Sequence, residues 1–298
     1  MSPDTSHGEK HSAALTSLLA AVGLTAFKIV VGVLTGSLGI LAEAAHSGLD
    51  LVAAGVTLFA VRVSSRPADR THLYGHGKVE NLSAMFETVL LLATCGWIMW
   101  EAVHRLLLHE VKVEVNIWSF IVMGTSIVID ASRSRVLART AKKYHSQALE
   151  ADALHFQTDI WSSAVVILGL ICVKLGSLFP AIEWLRQADA LAAMGVSVIV
   201  MWISWQLGRR TVDALLDSAP AGMEERILAA VEAVPGVSNC HNIRARYSGP
   251  ALFIDLHVLV DGNQTLFEAH ALTEVIEGVI QEIVPGADVT VHPEPRCR

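Results

Sequence analysis

AEAAHSGLDL, residues 42–51, sets His46 and Asp50 four residues apart in a largely apolar run. A hundred residues later ALHFQTDIWS, residues 153–162, repeats the arrangement with His155 and Asp159. On a helix, positions i and i+4 share one face a turn apart. Each stretch therefore presents an imidazole and a carboxylate side by side. Two such helices facing each other assemble two nitrogens and two oxygens, a full ligand set for a divalent metal. A carboxylate at the centre of a membrane helix costs roughly 2.5–3.5 kcal/mol on insertion scales, and two of them argue against a merely structural role.

The rest of the chain supplies the apolar setting. Of 298 residues 52% are hydrophobic and only 17% charged, with a mean hydropathy of +0.48, outside the usual range for a soluble domain. The net charge of −7 is uneven. Residues 213–298 hold 13 acids against 5 bases, whereas residues 1–212 balance 16 against 17. That break predicts a membrane part over 1–212 and an acidic soluble tail over 213–298. An acidic tail disfavours nucleic acid as a partner and suits cations. Cys95, Cys172, Cys240 and Cys297 are widely spaced without a CxxC pair, which suits free thiols in a reducing compartment.

Spanning helices need about 20 apolar residues. Six stretches qualify: Ala13–Thr35, Leu38–Val63, Leu82–Leu107, Ile117–Ala138, Ala148–Leu175 and Ala188–Leu207. The first begins without an A-x-A cleavage site and reads as a span, not a signal peptide. Arg62, Arg66, Arg70 and Lys78 follow the second span; Arg133, Arg135, Arg139, Lys142 and Lys143 the fourth; Arg209 and Arg210 the sixth. The opposite loops hold only Lys112 and Arg186, so the distribution of bases predicts both termini in the cytoplasm. In the tail, apolar periodicity predicts helices over Met223–Val234 and Leu266–Ile283. Strand-like runs occupy Ser238–Tyr247, Ala251–Val260 and Ala287–His292, with Ser248-Gly249-Pro250 as a turn. The order αββαβ predicts a small layered α+β domain with helices on one face of its sheet. About 85 residues bury only a modest core, so dimerisation is expected to help stabilise it.

Two further clusters carry possible ligands. Asp69, His72 and His76 lie three and four apart in the loop after the second span, and Gly75 and Gly77 flank His76 as if the backbone must turn tightly. The tail holds His241, His257, His270, His292 and Glu294; His292 and Glu294 share a strand face. Solvated surface histidines are the competing reading for both clusters. Lys28, Glu87 and Asp130 fall within or near spans and read as interhelix pairs. In the membrane, two Asp and two neutral His make a site charge of −2, which one divalent cation cancels. Mixed nitrogen and oxygen ligands in a tetrahedron suit Zn²⁺ best. An enzyme is not expected: there is no HExxH, and four ligands leave no open catalytic position. A membrane protein that senses metal through its tail without moving it is the alternative to a transporter.

The paired His-x-x-x-Asp stretches, the Tyr74-Gly75-His76-Gly77-Lys78 loop and the histidine-bearing αββαβ tail together resemble the cation diffusion facilitator family, over essentially the whole chain after the first dozen residues. The resemblance implies a bundle of six transmembrane helices followed by a ferredoxin-like, metallochaperone-like cytoplasmic domain. It implies a homodimer that exports Zn²⁺, or a similar ion such as Cd²⁺, Fe²⁺, Co²⁺ or Mn²⁺, across a prokaryotic inner membrane in exchange for protons by alternating access. The transport site would be His46, Asp50, His155 and Asp159. A loop site would use Asp69, His72 and His76. A tail site would use His241, His257, His292 and Glu294, supported by His270. The resemblance also implies a salt bridge from Lys78 to Asp217, with Asp213 as the second choice. His46 stands where the well-known bacterial type has Asp, as in zinc-selective members, and Glu294 stands where the tail's last ligand is usually Asp.

Overall fold

The computed structural model describes residues 3–36, 38–108, 117–178 and 185–296. Six long helices come first: α1 Pro3–Thr35, α2 Leu38–Ser64, α3 Lys78–Leu108, α4 Ile117–Tyr144, α5 Gln147–Leu178 and α6 Leu185–Leu215. Each covers one of the apolar stretches and overruns it into polar sequence at one or both ends, because helical hydrogen bonding continues past the point where apolar composition stops. Local chemistry sets the breaks. Gly36 adopts φ 65, His145 φ 51 ends α4, and Asp217 φ 59 follows α6. Lys112 of the expected outer loops lies outside the described residues.

Among the described residues three helical stretches are long and apolar enough to cross a membrane: Gly8–Thr35, Ala44–Ser64 and Lys78–His104. This is fewer than the six expected. The fourth helix shows one physical reason, since Asp130, Arg133, Arg135, Arg139, Lys142 and Lys143 dilute its second half. The outer faces of the helices are nonetheless apolar, with Leu34, Phe59, Trp97, Val128 and Trp202 all well exposed. Lipid suits such a surface and water does not.

α1 packs on α2 and α4, α3 on α6, and α5 touches α2, α3, α4 and α6. Polar braces tie helix ends together. Lys10 on α1 reaches Glu80 on α3 at 2.5 Å, and both are at most 2% exposed. Ser64 also donates to Glu80, at 2.7 Å, and Ser146, the residue just before α5, donates to the other oxygen of the same carboxylate. A buried carboxylate without such partners would cost several kcal/mol, so this node fixes four helices relative to one another.

The tail folds as α7 Met223–Glu232, β1 Asn239–Ser248, β2 Ala251–Val260, α8 Leu266–Ile283 and β3 Asp288–Pro295. β2 is central, antiparallel to β1 and parallel to β3. Ile227 and Val231 of α7 and Ile276 and Ile280 of α8 bury fully against Ile254, Leu256 and Val258 of β2. Thr265 starts α8 with a reciprocal capping box to Glu268. The domain meets the membrane part where the β1–β2 turn sits on the loop between α2 and α3. Gly249 donates its N–H to Asn81 Oδ1 at 3.0 Å. A Cβ on Gly77 would lie 2.2 Å from the Ser248 carbonyl oxygen. Gly75, at φ 74, is the residue that turns the chain; Gly77 is instead required for this close approach of two backbones.

Candidate metal-binding sites

In the membrane part, α2 and α5 bring the two His-x-x-x-Asp stretches face to face. His155 Nε2 lies 3.0 Å from Asp50 Oδ1 and 3.6 Å from Asp159 Oδ2. His46 Nε2 lies 4.0 Å from Asp50 Oδ1 and 3.8 Å from Asp159 Oδ1. Each imidazole therefore addresses both carboxylates, and the four side chains close a ring across two helices. Ligand atoms of His46, Asp50 and Asp159 lie within 4.8 Å of one another. His155 is 6% exposed, whereas the His46 side chain is 41% exposed, so the ring is open to solvent or lipid on the His46 side.

The surrounding polar residues bridge helices. Lys28 on α1 donates to Ser47 at 2.7 Å, one residue from His46, and Thr25 donates to the Ser47 carbonyl. Asp130 pairs with Arg133 at 3.2 Å on its own helix, and Arg133 also reaches Ser17 on α1. Glu87 accepts from Thr57. These positions match the interhelix role expected of Lys28 and Glu87; Asp130 pairs within α4, and its partner Arg133 reaches α1. Sequence reasoning missed Lys10, Glu80 and Asp152, all buried. Their only signal was charge near the helix ends, which ordinary solvated residues share.

In the α2–α3 loop, Asp69 gathers the two histidines: His72 Nδ1 at 3.5 Å and His76 Nε2 at 3.4 Å. The rings lie 4.5 Å apart. Asp69 accepts from the backbone N–H of His72 and from the hydroxyl and N–H of Thr71, which pushes its carboxyl far below the usual carboxylate range. It stays ionised at any physiological pH and can hold a cation.

In the tail, the sheet register lines the histidines up. His241 pairs with His257, and His257 with His292, across three neighbouring strands. Glu294, two residues beyond His292, returns to the same face. Its carboxylate meets His257 Nδ1 at 2.8 Å, His241 Nε2 at 3.4 Å and His292 Nε2 at 3.8 Å. The hydrogen bond with His257 holds the Glu294 carboxyl below its ordinary value. His270 is not brought into this group. It sits on α8, 70% exposed, 3.7 Å from Glu274 of its own helix. Cys240, beside His241, is a buried free thiol whose pKa burial pushes up to about 11; it packs as a small hydrophobe.

Lys78 reaches Asp217 at 2.8 Å and leaves Asp213 aside. Arg246 of β1 approaches Asp217 at 3.5 Å and lies over the Tyr74 ring at 4.0 Å. The ion pair depresses the Asp217 pKa, Lys78 being the main cause.

A bundle of long apolar helices with an acid–histidine ring inside it and a histidine-faced soluble sheet defines a membrane protein that handles cations. Comparison with known proteins narrows that class. Residues 14–216 match the family profile described as the cation efflux transmembrane domain, and residues 219–296 that of the cation efflux protein cytoplasmic domain. The cation-efflux pump FieF of Cronobacter sakazakii is 32% identical over 286 residues, covering 95% of this chain and 92% of its own. FieF of Yersinia pestis is 32% identical over 302 residues, covering 99% and 95%. A solved MamM CTD is 31% identical over 25% of this chain and 95% of its own, with a TM-score of 0.24. The chain belongs to the cation efflux, or cation diffusion facilitator, family. It is a multi-pass membrane transporter with a cytoplasmic C-terminal domain and divalent cations as its substrates.

Proposed function

We propose that this chain is a proton-coupled antiporter that exports Zn²⁺ from the cytoplasm through the ring of His46, Asp50, His155 and Asp159. The observation that carries the reading is the closure of that ring: both imidazoles lie within 4.0 Å of both carboxylates. Small rotations of these side chains turn mutual contacts into a tetrahedron around one ion. The two carboxylates then neutralise the divalent charge, so the loaded site is tolerable in a low-dielectric bundle. Nitrogen donors favour Zn²⁺ over Mn²⁺, while Cd²⁺, Fe²⁺ and Co²⁺ remain chemically near.

Metal binding requires neutral imidazole and ionised carboxylate, so loading releases protons and protonation releases metal. Exposed to the cytoplasm, the ring takes Zn²⁺ and gives up protons. After the helices rock, protons from the opposite side weaken the ligands and free the ion. In this reading residues 1–212 span the inner membrane six times with both termini cytoplasmic, and residues 213–298 form the dimerisation and metal-responsive domain. The chain works as a homodimer. The clusters at Asp69, His72 and His76, and at His241, His257, His292 and Glu294, bind regulatory Zn²⁺. Lys78–Asp217 holds the two parts in register.

The test is Asp159→Ala in proteoliposomes. Zinc uptake is expected to fall to the protein-free leak while the purified protein keeps its elution and its tail metal binding. Uptake at the unaltered rate would overturn the site. Zinc binding to the tail with no flux through the unaltered chain would favour a metal sensor instead.

A further inference from the structure

A cavity of about 970 Å³ lies where the cytoplasmic ends of α4, α5 and α6 meet the tail. Neither the metal ring nor the loop cluster borders it. Its lining grades from apolar to charged along α6. Along α6 it runs Ile203, Leu207, Arg210 and Asp213, about one turn apart, from apolar to charged. Along α5 it runs from Gln157 through Leu154 and Ala153 back to Glu150, toward the same rim. Ten residues of α6 make that gradient about 15 Å deep. Apart from Gln157 and Ser134, the wall is apolar toward the membrane interior, and it is ionic at the cytoplasmic mouth, which is the polarity of a lipid.

The rim carries both signs. Arg210 bonds Glu150 at 2.7 Å through one amino group, leaving its other donors for a ligand. Lys142 and Asp213 are exposed, and among the described residues neither side chain has a hydrogen bond or ion pair. Lys78 has already taken Asp217, so Asp213 is left as an unassigned anion facing the cavity. A volume at the upper end of ligand pockets, with one free cation and one free anion at its mouth, fits a dipolar head on an apolar chain. The level is right for the cytoplasmic leaflet. α4 delivers its Arg139, Lys142 and Lys143 there, and Trp205 of α6 stands exposed nearby, as interfacial tryptophans do.

We propose that this cavity binds one phospholipid with an amine-bearing zwitterionic headgroup, its phosphate held by Lys142 and Arg210 and its ammonium by Asp213 and Glu150, with the acyl chain along Leu154, Ile203 and Leu207. The site depends on the membrane-spanning nature of the chain, not on the transport reading. An anionic glycerol headgroup could offer the two carboxylates hydroxyl donors but no positive charge, and its own net charge would stand beside theirs. A quaternary ammonium offers charge but no N–H. Because Ser218, Ala219 and Tyr247 of the tail border the same cavity, the bound lipid touches both parts of the molecule.

The experiment is native mass spectrometry of the full-length protein in detergent, titrated separately with phosphatidylethanolamine, phosphatidylglycerol and phosphatidylcholine of identical acyl chains. Phosphatidylethanolamine is expected to be retained at the lowest concentration. Lys142→Ala and Asp213→Asn should each weaken it about tenfold, the size expected for one charge-assisted hydrogen bond, and shrink the preference over the other two. Ile203→Trp, which fills the apolar wall without touching charge, should weaken all three. Equal retention of the lipids, a preference for phosphatidylglycerol, or unchanged binding in all variants overturns the proposal. So does a change of oligomeric mass in Ile203→Trp without loss of lipid, which would make the cavity a contact between copies.

Discussion

Replacing Gly77 with alanine tests the joint between the membrane part and the tail more sharply than removing any charge. The added Cβ would lie 2.2 Å from the Ser248 carbonyl oxygen and 2.7 Å from its carbon. The obstacle is backbone on both sides, so no side chain can swing away. Restoring an ordinary contact requires the loop and the β1–β2 turn to part by roughly 1 Å. The Gly249 N–H to Asn81 bond, now 3.0 Å, does not survive that separation. The overpacking costs about 1–3 kcal/mol, and the lost hydrogen bond about 1 kcal/mol more. A loss of roughly 2–4 kcal/mol in local stability raises amide exchange by roughly 30- to 1,000-fold. Hydrogen exchange of the full-length protein should therefore show faster exchange confined to residues 77–81 and 246–250. The α8 amides over Ile276 and Ile280 should be unaffected, because neither residue lies at the contact between Gly77, Asn81, Ser248 and Gly249. Unchanged exchange at Gly249 in Gly77→Ala would refute the close approach and the coupling built on it.

Other consequences are separately checkable. His46→Asp removes a nitrogen and makes the ring −3, so in a competition assay the variant should lose preference for Zn²⁺ and admit Cd²⁺ and Mn²⁺; an unchanged order of ions would detach His46 from selectivity. Glu294 has a depressed pKa in the folded tail, so its contribution to stability is fully present above its unfolded value of about 4.3 and lost as pH falls through the lower folded value. Metal-free Glu294→Gln should accordingly show a flatter decline in melting temperature below about pH 4.5 than the unaltered chain, and the two curves should not run parallel.

Much of this organisation is written plainly in the residues. The i, i+4 spacing put His46 beside Asp50 and His155 beside Asp159 before any coordinates, because helix geometry alone dictates it. Strand alternation brought His292 and Glu294 to one face, and the capped, periodic Leu266–Ile283 forms its helix with those ends. What spacing does not encode is which distant helices meet. The buried Lys10–Glu80 pair joins α1 to α3 across 70 residues, and nothing local distinguishes Lys10 from the solvated lysines of the chain. His270 shows the converse. Its position in the tail suggested a ligand, but helix α8 packs by Ile276 and Ile280, and that rotation turns His270 outward. Gly77 was legible as special, though its reason is a tertiary contact with Ser248 that a turn argument cannot reach.

The central claim is that the membrane ring exchanges zinc for protons. It is tested most directly by recording metal and proton movement together, with purified protein in vesicles holding a pH-sensitive dye and a panel of divalent ions applied outside. The account predicts saturable Zn²⁺ uptake accompanied by proton movement in the opposite direction, faster when an opposing proton gradient is imposed and tightest for Zn²⁺ among the ions. Zinc uptake that leaves the pH signal and its own rate indifferent to the proton gradient would contradict it.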